Sequence, residues 1–171
     1  MNEEILQLES ALFFAEDEAR DLGQLLLLAR EGGTVTYSCV AGSIAEPEET
    51  LLAAWHWRML IPSGSSSRSL AWESAVLRFD AGVRFKMPAA VRLTVDHAAL
   101  TGFWEPHRAL GEACPLLEGV PAKTVAELLR QMRFSSEEGI ISAVVLGGIM
   151  KRLRLRGSLD QLTIELKAAG V

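Results

Sequence analysis

The sequence is poor in cysteine and lacks the short motifs that mark common catalytic and cofactor sites. Its two cysteines, Cys39 and Cys114, are far apart in sequence and do not suggest a disulfide framework. The metal-binding spacings CxxC and HExxH are missing, as are the phosphate pattern GxxxxGKS/T, the dinucleotide pattern GxGxxG and the hydrolase pattern GxSxG. We therefore expect two reduced thiols, no bound metal, no cofactor and no catalytic residue set.

Long apolar runs are also missing. The longest candidate, residues 139–150, is far shorter than the roughly 20 residues of a membrane-spanning helix. The first ten residues are acidic, whereas a secretory signal begins with basic residues. A composition of 49% hydrophobic and 23% charged residues is that of a globular protein. We expect a soluble, cytoplasmic protein that forms a single domain over residues 1–171 and makes no membrane contact.

Charge is distributed unevenly along the chain, whose net charge is -5. Residues 1–50 hold eleven acidic side chains against two basic ones, whereas residues 123–171 hold eight basic side chains against five acidic ones. An acidic protein repels nucleic acid unless a basic patch dominates locally. The acidic beginning and the basic end could also attract each other.

Apolar residues recur at alternating spacings of three and four through the N-terminal part of the chain. This spacing predicts one long helix over residues 2–31, ended by Gly32 and Gly33. The helix is apolar on more than one face, so it needs more than one neighbour. It could pack entirely on the chain's own sheet, or turn part of its surface towards a second copy. The residues of this possible oligomer face are Leu8, Leu12, Leu22 and Leu26.

The middle of the chain alternates between apolar and polar residues, which is typical of strands with one covered face. We predict an antiparallel meander over about residues 34–97. Helix is an alternative for residues 51–60, because alanine and leucine favour it. The strand-like stretches are TVTYSCV (34–40), LLAAWHWRMLIP (51–62), LAWESAVLRFD (70–80), VRFKM (83–87) and VRLTVDH (91–97).

The last third of the chain predicts a helix followed by a second meander. A capping-box pattern at Thr124 and Glu127 predicts a helix over about residues 124–134. Alternation then predicts three strands, with Gly147-Gly148 at the first turn. Capping-box patterns that begin at Ser135 and Ser158 leave a helical tail as the alternative. The predicted strands are 140–146, 149–156 and 160–167, which makes the expected fold class α+β.

A run of basic residues lies in the second of these strands. Strand geometry would place Arg152, Arg154 and Arg156 on one face of the sheet. These arginines could be solvated or paired with carboxylates, or they could form a face that binds nucleic acid or another anion. Because acidic side chains are abundant in residues 1–50, we predict pairing with protein carboxylates, either in the same chain or in a neighbouring copy.

Aromatic and histidine side chains are a second set of candidate binding or catalytic residues. Trp55 and Trp57 would share one face of a strand and could stack a planar ligand, although such pairs are more often part of a core. His97 and His107 are the candidate acid–base groups; Glu105 could act with His107, whereas Asp96 and His97 would point to opposite faces of a strand. His107 and Cys114 do not match a known zinc spacing.

These observations favour a non-catalytic protein that acts through protein–protein contact, as an adaptor or regulatory domain, and that forms a homodimer. The first alternative is a nucleic-acid-binding protein that uses Arg152, Arg154 and Arg156. The second is a small-ligand-binding protein or an enzyme built around the tryptophans and histidines. The sequence favours the absence of catalysis without deciding it.

Overall fold

The chain is mostly helical in the computed structural model, which describes residues 3–12, 14, 16–63, 79, 81–137 and 140–171. Residue contacts divide it into two compact units, Met1–Trp104 and Glu105–Val171. The predicted α+β class, with a long meander and a second C-terminal meander, is therefore wrong. None of the helices in these ranges combines the length and the apolar character that a membrane crossing requires. The single domain over residues 1–171 stays a prediction.

The first unit begins with two helices where one long helix was predicted over residues 2–31. Helix α1 spans Glu3–Ala11 and helix α2 spans Glu16–Gly32, and the two pack against each other. Gly23 permits this close approach, because a Cβ atom at this position would lie 3.4 Å from the Cβ of Leu8. The break lets the apolar residues of α1 and α2 be buried against each other within the first unit.

A small antiparallel sheet replaces the predicted meander over residues 34–97. Its strands are β1 (Thr34–Thr36), β2 (Ile61–Pro62) and β3 (Arg84–Lys86), in the order β1-β3-β2. Thr34 pairs with Lys86 and Pro62 pairs with Phe85. Phe85, in the central strand, is fully buried in the core of this unit.

Helices occupy half of the described residues in the region that was predicted to be a strand meander. They are α3 (Tyr37–Ala41), α4 (Pro47–His56) and α5 (Ala89–Thr101). In α4, Pro47 stands at the first helical position and is followed by two glutamates, a sequence that suits a helix N-terminus. The alternation in VRLTVDH was misleading, because α5 buries Thr94, Val95, Ala98 and Ala99 at helical spacing. Most of the predicted strand at 70–80 lies outside the described residues.

The second unit consists of helices in the ranges that the structure describes. They are α6 (Pro106–Ala113), a 3-10 turn at Pro115–Leu117, α7 (Ala122–Ser135), α8 (Ala143–Leu153) and α9 (Leu159–Ala169). The helix predicted over 124–134 is present within α7. The three strands predicted over 140–167 are wrong, and the helical alternative describes this region.

Helix termini explain why the C-terminal region is helical. The side chain of Ser158 accepts a hydrogen bond from the Gln161 N–H over 3.1 Å, which is the N-cap that the helical alternative implied. Gly147 lies inside α8 rather than at a turn. Helix α8 ends where Arg154 adopts a left-handed conformation with φ of 54°, and the Leu155 N–H then bonds to the Met150 carbonyl over 3.0 Å.

Candidate functional site

The first unit contains a solvent-open groove between α2 and α4. Its volume is about 580 Å³, large enough for a side chain of another molecule. Residues at spacings of three and four on each helix line it, so both helices contribute one continuous face. Five carboxylates surround the groove: Asp17, Glu18, Asp21, Glu46 and Glu49.

Aromatic rings line one end of this groove. The side chain of Trp57, the residue that ends α4, is 56% exposed. The ring of Phe14 meets it edge-on with centroids 5.8 Å apart, and the ring of His56 does so at 5.6 Å. Trp55 is buried instead, because residues two apart on a helix point in different directions. The predicted strand face shared by Trp55 and Trp57 therefore does not exist.

The groove carboxylates form no ion pair within 4.0 Å among the residues that the structure describes, although Arg20 interacts electrostatically with Asp17 from a greater distance. No lysine, arginine or histidine nitrogen of those residues lies within 4.0 Å of the carboxylate oxygens of Asp17, Glu18, Asp21, Glu46 or Glu49. Like charges gathered around one groove repel each other, and an added cation would relieve that repulsion. An exposed tryptophan attracts the same kind of group through its ring face. The groove can therefore hold an ammonium or guanidinium group.

A signal for this groove was present in the sequence but was not used. Glu46, Glu49, Ala53 and Trp57 follow helical spacing, and Pro47 marks the helix start. The strand interpretation of residues 51–62 placed Ala53 and Trp57 on one face together with Trp55, and it did not include Glu46 or Glu49. The contribution of α2 could not be found in this way, because no sequence pattern shows which helix packs beside α4.

The predicted oligomer face is buried in the first unit. Leu8, Leu12, Leu22 and Leu26 are between 0% and 7% exposed, and all four belong to the core cluster of that unit. In this fold their side chains are not available to a second copy. Self-association stays a prediction, and it requires other residues.

The three arginines of the predicted stripe lie at the end of α8 and just after it, and all are exposed. The Nε and Nη2 atoms of Arg152 donate to Oε1 of Gln131 over 3.2 and 2.9 Å. No carboxylate of a described residue lies within 4.0 Å of Arg152, Arg154 or Arg156. Pairing with carboxylates of the second unit is therefore not seen in those ranges, and pairing with the first unit or with a neighbouring copy stays a prediction.

Cys114 and Glu165 form a buried polar contact in the second unit. The thiol of the fully buried Cys114 donates to Oε2 of Glu165 over 3.1 Å, and the Leu116 N–H donates to the same oxygen over 2.6 Å. Burial, together with the nearby carboxylate, raises the pKa of Cys114 from 9.0 to about 11. The two donors lower the pKa of Glu165, with the Leu116 N–H contributing most. This arrangement keeps the thiol protonated, so it is suited to structure rather than to nucleophilic attack.

The stability of the second unit is expected to fall at alkaline pH because of Cys114. Its folded-state pKa is raised, so its contribution is complete below pH 9.0 and is lost as pH rises towards about 11. Urea unfolding of the wild type and Cys114→Ala across this window will test the prediction. The wild type should lose more stability than the variant, which has no thiol to ionise; parallel curves would contradict the assignment.

The three histidines lie on three different helices. His56 lines the groove, His97 lies on α5 of the same unit, and His107 lies on α6 of the second unit. Within the described ranges, no three histidine, cysteine, aspartate or glutamate side chains are arranged to hold a metal ion. Cys39 is exposed on α3.

Comparison with known proteins gives a family but no activity. A protein-family model matches residues 4–171 and carries no functional description. No curated protein and no solved structure matches the chain.

Proposed function

The chain belongs to this family over residues 4–171, and we propose that it is a non-catalytic binding protein that holds a cationic segment of a partner protein. The binding site is the groove between α2 and α4. The single observation that carries this proposal is the combination of five carboxylates with the exposed ring of Trp57 around one cavity of about 580 Å³.

The chemistry of the groove favours arginine as the group that it holds. A guanidinium is planar, donates two parallel hydrogen bonds to a carboxylate, and stacks on an aromatic face. Glu49 and Asp21 supply carboxylates from the two walls, and Trp57 supplies the ring. A small neutral substrate would leave these charges unmatched, so the groove is better suited to a basic peptide than to a neutral metabolite.

Binding of a cationic segment suits an adaptor or regulatory role in the cytoplasm. In such a role, recognition of the partner depends on charge. Because the carboxylates are at the surface, each contact contributes little alone, and the affinity depends on several contacts made together. Association should be fast and should weaken with added salt, since exposed charges are screened over about 8 Å at physiological ionic strength.

The proposal predicts that an arginine-containing peptide binds and that its neutral analogue does not. The probe is a short peptide with two arginines, and its control replaces both with citrulline, which keeps the shape and removes the charge. Calorimetry with the full chain should show binding of the arginine peptide only. Asp21→Asn combined with Glu49→Gln should weaken binding by about tenfold, equivalent to about 1.4 kcal/mol.

A matched double variant distinguishes binding in the groove from a general effect of the chain's negative charge on affinity. Glu3→Gln combined with Glu31→Gln removes the same charge from exposed positions outside the groove, so it should leave the affinity nearly unchanged. Trp57→Ala should weaken binding, whereas Trp57→Phe should retain part of it. Equal affinity for the arginine and citrulline peptides, or equal loss in both double variants, would contradict the proposal.

A further inference from the structure

The chain carries its own concentrated source of arginine, the segment Lys151–Arg156. Four of these six residues are basic, whereas the chain as a whole has a net charge of -5. We call this the arginine segment. It begins in the last turn of α8 and continues past the end of that helix. Its density of positive charge complements the five carboxylates of the groove.

The backbone of the arginine segment has a defined conformation. Arg154 adopts a left-handed conformation, and the Leu155 N–H bonds to the Met150 carbonyl over 3.0 Å. Leu153 and Leu155 are partly buried, whereas the arginines are exposed. A segment held in this way loses less conformational entropy on binding than a disordered tail would.

Two of the arginines have unused hydrogen-bonding capacity. Arg152 donates to Gln131, but the guanidinium groups of Arg154 and Arg156 have no hydrogen-bond or ion-pair partner among the residues that are described. The groove carboxylates form no ion pair within 4.0 Å in those ranges, with Arg20 acting on Asp17 only from a greater distance. Each of these two oppositely charged surfaces thus lacks a close ion pair within its own unit.

We infer that the groove between α2 and α4 of one copy binds the arginine segment of a second copy, with Arg154 and Arg156 as the inserted residues. This inference rests on the proposed function and names the partner. In a dimer with two-fold symmetry the contact occurs twice, because each copy supplies one groove and one segment. The contact explains self-association without the buried leucines.

Charge reversal on each side provides the test. The first variant is Arg154→Glu combined with Arg156→Glu, and the second is Glu46→Lys combined with Glu49→Lys. Light scattering of the wild type should give about twice the monomer mass of 18.6 kDa, at roughly 150 mM salt, where the screening length is about 8 Å. Each variant alone should be monomeric, because the first lowers the net charge of the segment from +4 to 0 and the second changes the net charge of the five groove positions from -5 to -1.

An equimolar mixture of the two variants should restore association, since the unchanged groove of the first variant can bind the unchanged arginine segment of the second. Circular dichroism of each variant will show that it is folded. A monomeric wild type, a dimer that persists in either variant, or a mixture that stays monomeric would overturn the inference. Duplex DNA bound by the wild type and lost in the arginine variant would also overturn it, by assigning the segment to nucleic acid.

The peptide titration distinguishes failure of this inference from failure of the proposed function. If the wild type is monomeric but still prefers the arginine peptide over the citrulline peptide, then the groove binds a cationic partner other than a second copy. If the Arg154→Glu, Arg156→Glu variant, whose groove is not occupied by a second copy, binds neither peptide, both proposals are wrong.

Discussion

Alanine in place of Leu26 is expected to lower the free energy of unfolding of the first unit by about 2–5 kcal/mol. Leu26 lies on α2 and is 0% exposed. Removing its side chain loses apolar burial and leaves a cavity that neighbouring helices can fill only in part. Urea unfolding followed by circular dichroism will measure the change.

Leu100→Ala is the matched control for this experiment. The same substitution on α5 removes a side chain that is 78% exposed, so stability should change by no more than about 0.5 kcal/mol. The comparison also tests the role of the predicted oligomer face, to which Leu26 belongs. If Leu26→Ala left stability intact and abolished self-association, Leu26 would belong to an interface between copies rather than to the core.

The second large effect is expected for Leu162→Ala, which should lower the stability of the second unit by about 2–5 kcal/mol. Leu162 is fully buried on α9, whereas Ile164 on the same helix is 68% exposed. Ile164→Ala should therefore change stability much less. Urea unfolding of both variants provides the comparison.

These two variants distinguish a helix over Leu159–Ala169 from the strand that was predicted over 160–167. In a strand, residues 162 and 164 point to the same face, so both substitutions would cost a similar amount. In a helix they lie about 200° apart, so only one is buried. Similar losses for Leu162→Ala and Ile164→Ala would contradict the helical structure.

The sequence by itself determined the composition-level properties of this protein. The concentration of acidic residues at positions 1–50 and the arginine segment at Lys151–Arg156 can be counted directly. The helix within α7 and the Ser158 cap of α9 also followed from local patterns, because a cap depends on residues three apart in the chain. These features are local, so they can be predicted without knowing which elements pack together.

Tertiary packing decided the rest. The spacing of three and four was the same for one long helix and for two shorter ones, and the packing of α1 against both α2 and α5 selects the pair. Short alternating stretches such as 91–97 fit both the two-residue period of a strand and the 3.6-residue period of a helix. Burial against the core selected the helix. The groove likewise required α2 and α4 to pack side by side, which brings acidic residues about 30 positions apart in sequence to one cavity. Such a contact joins residues distant in the chain, and no local pattern encodes it.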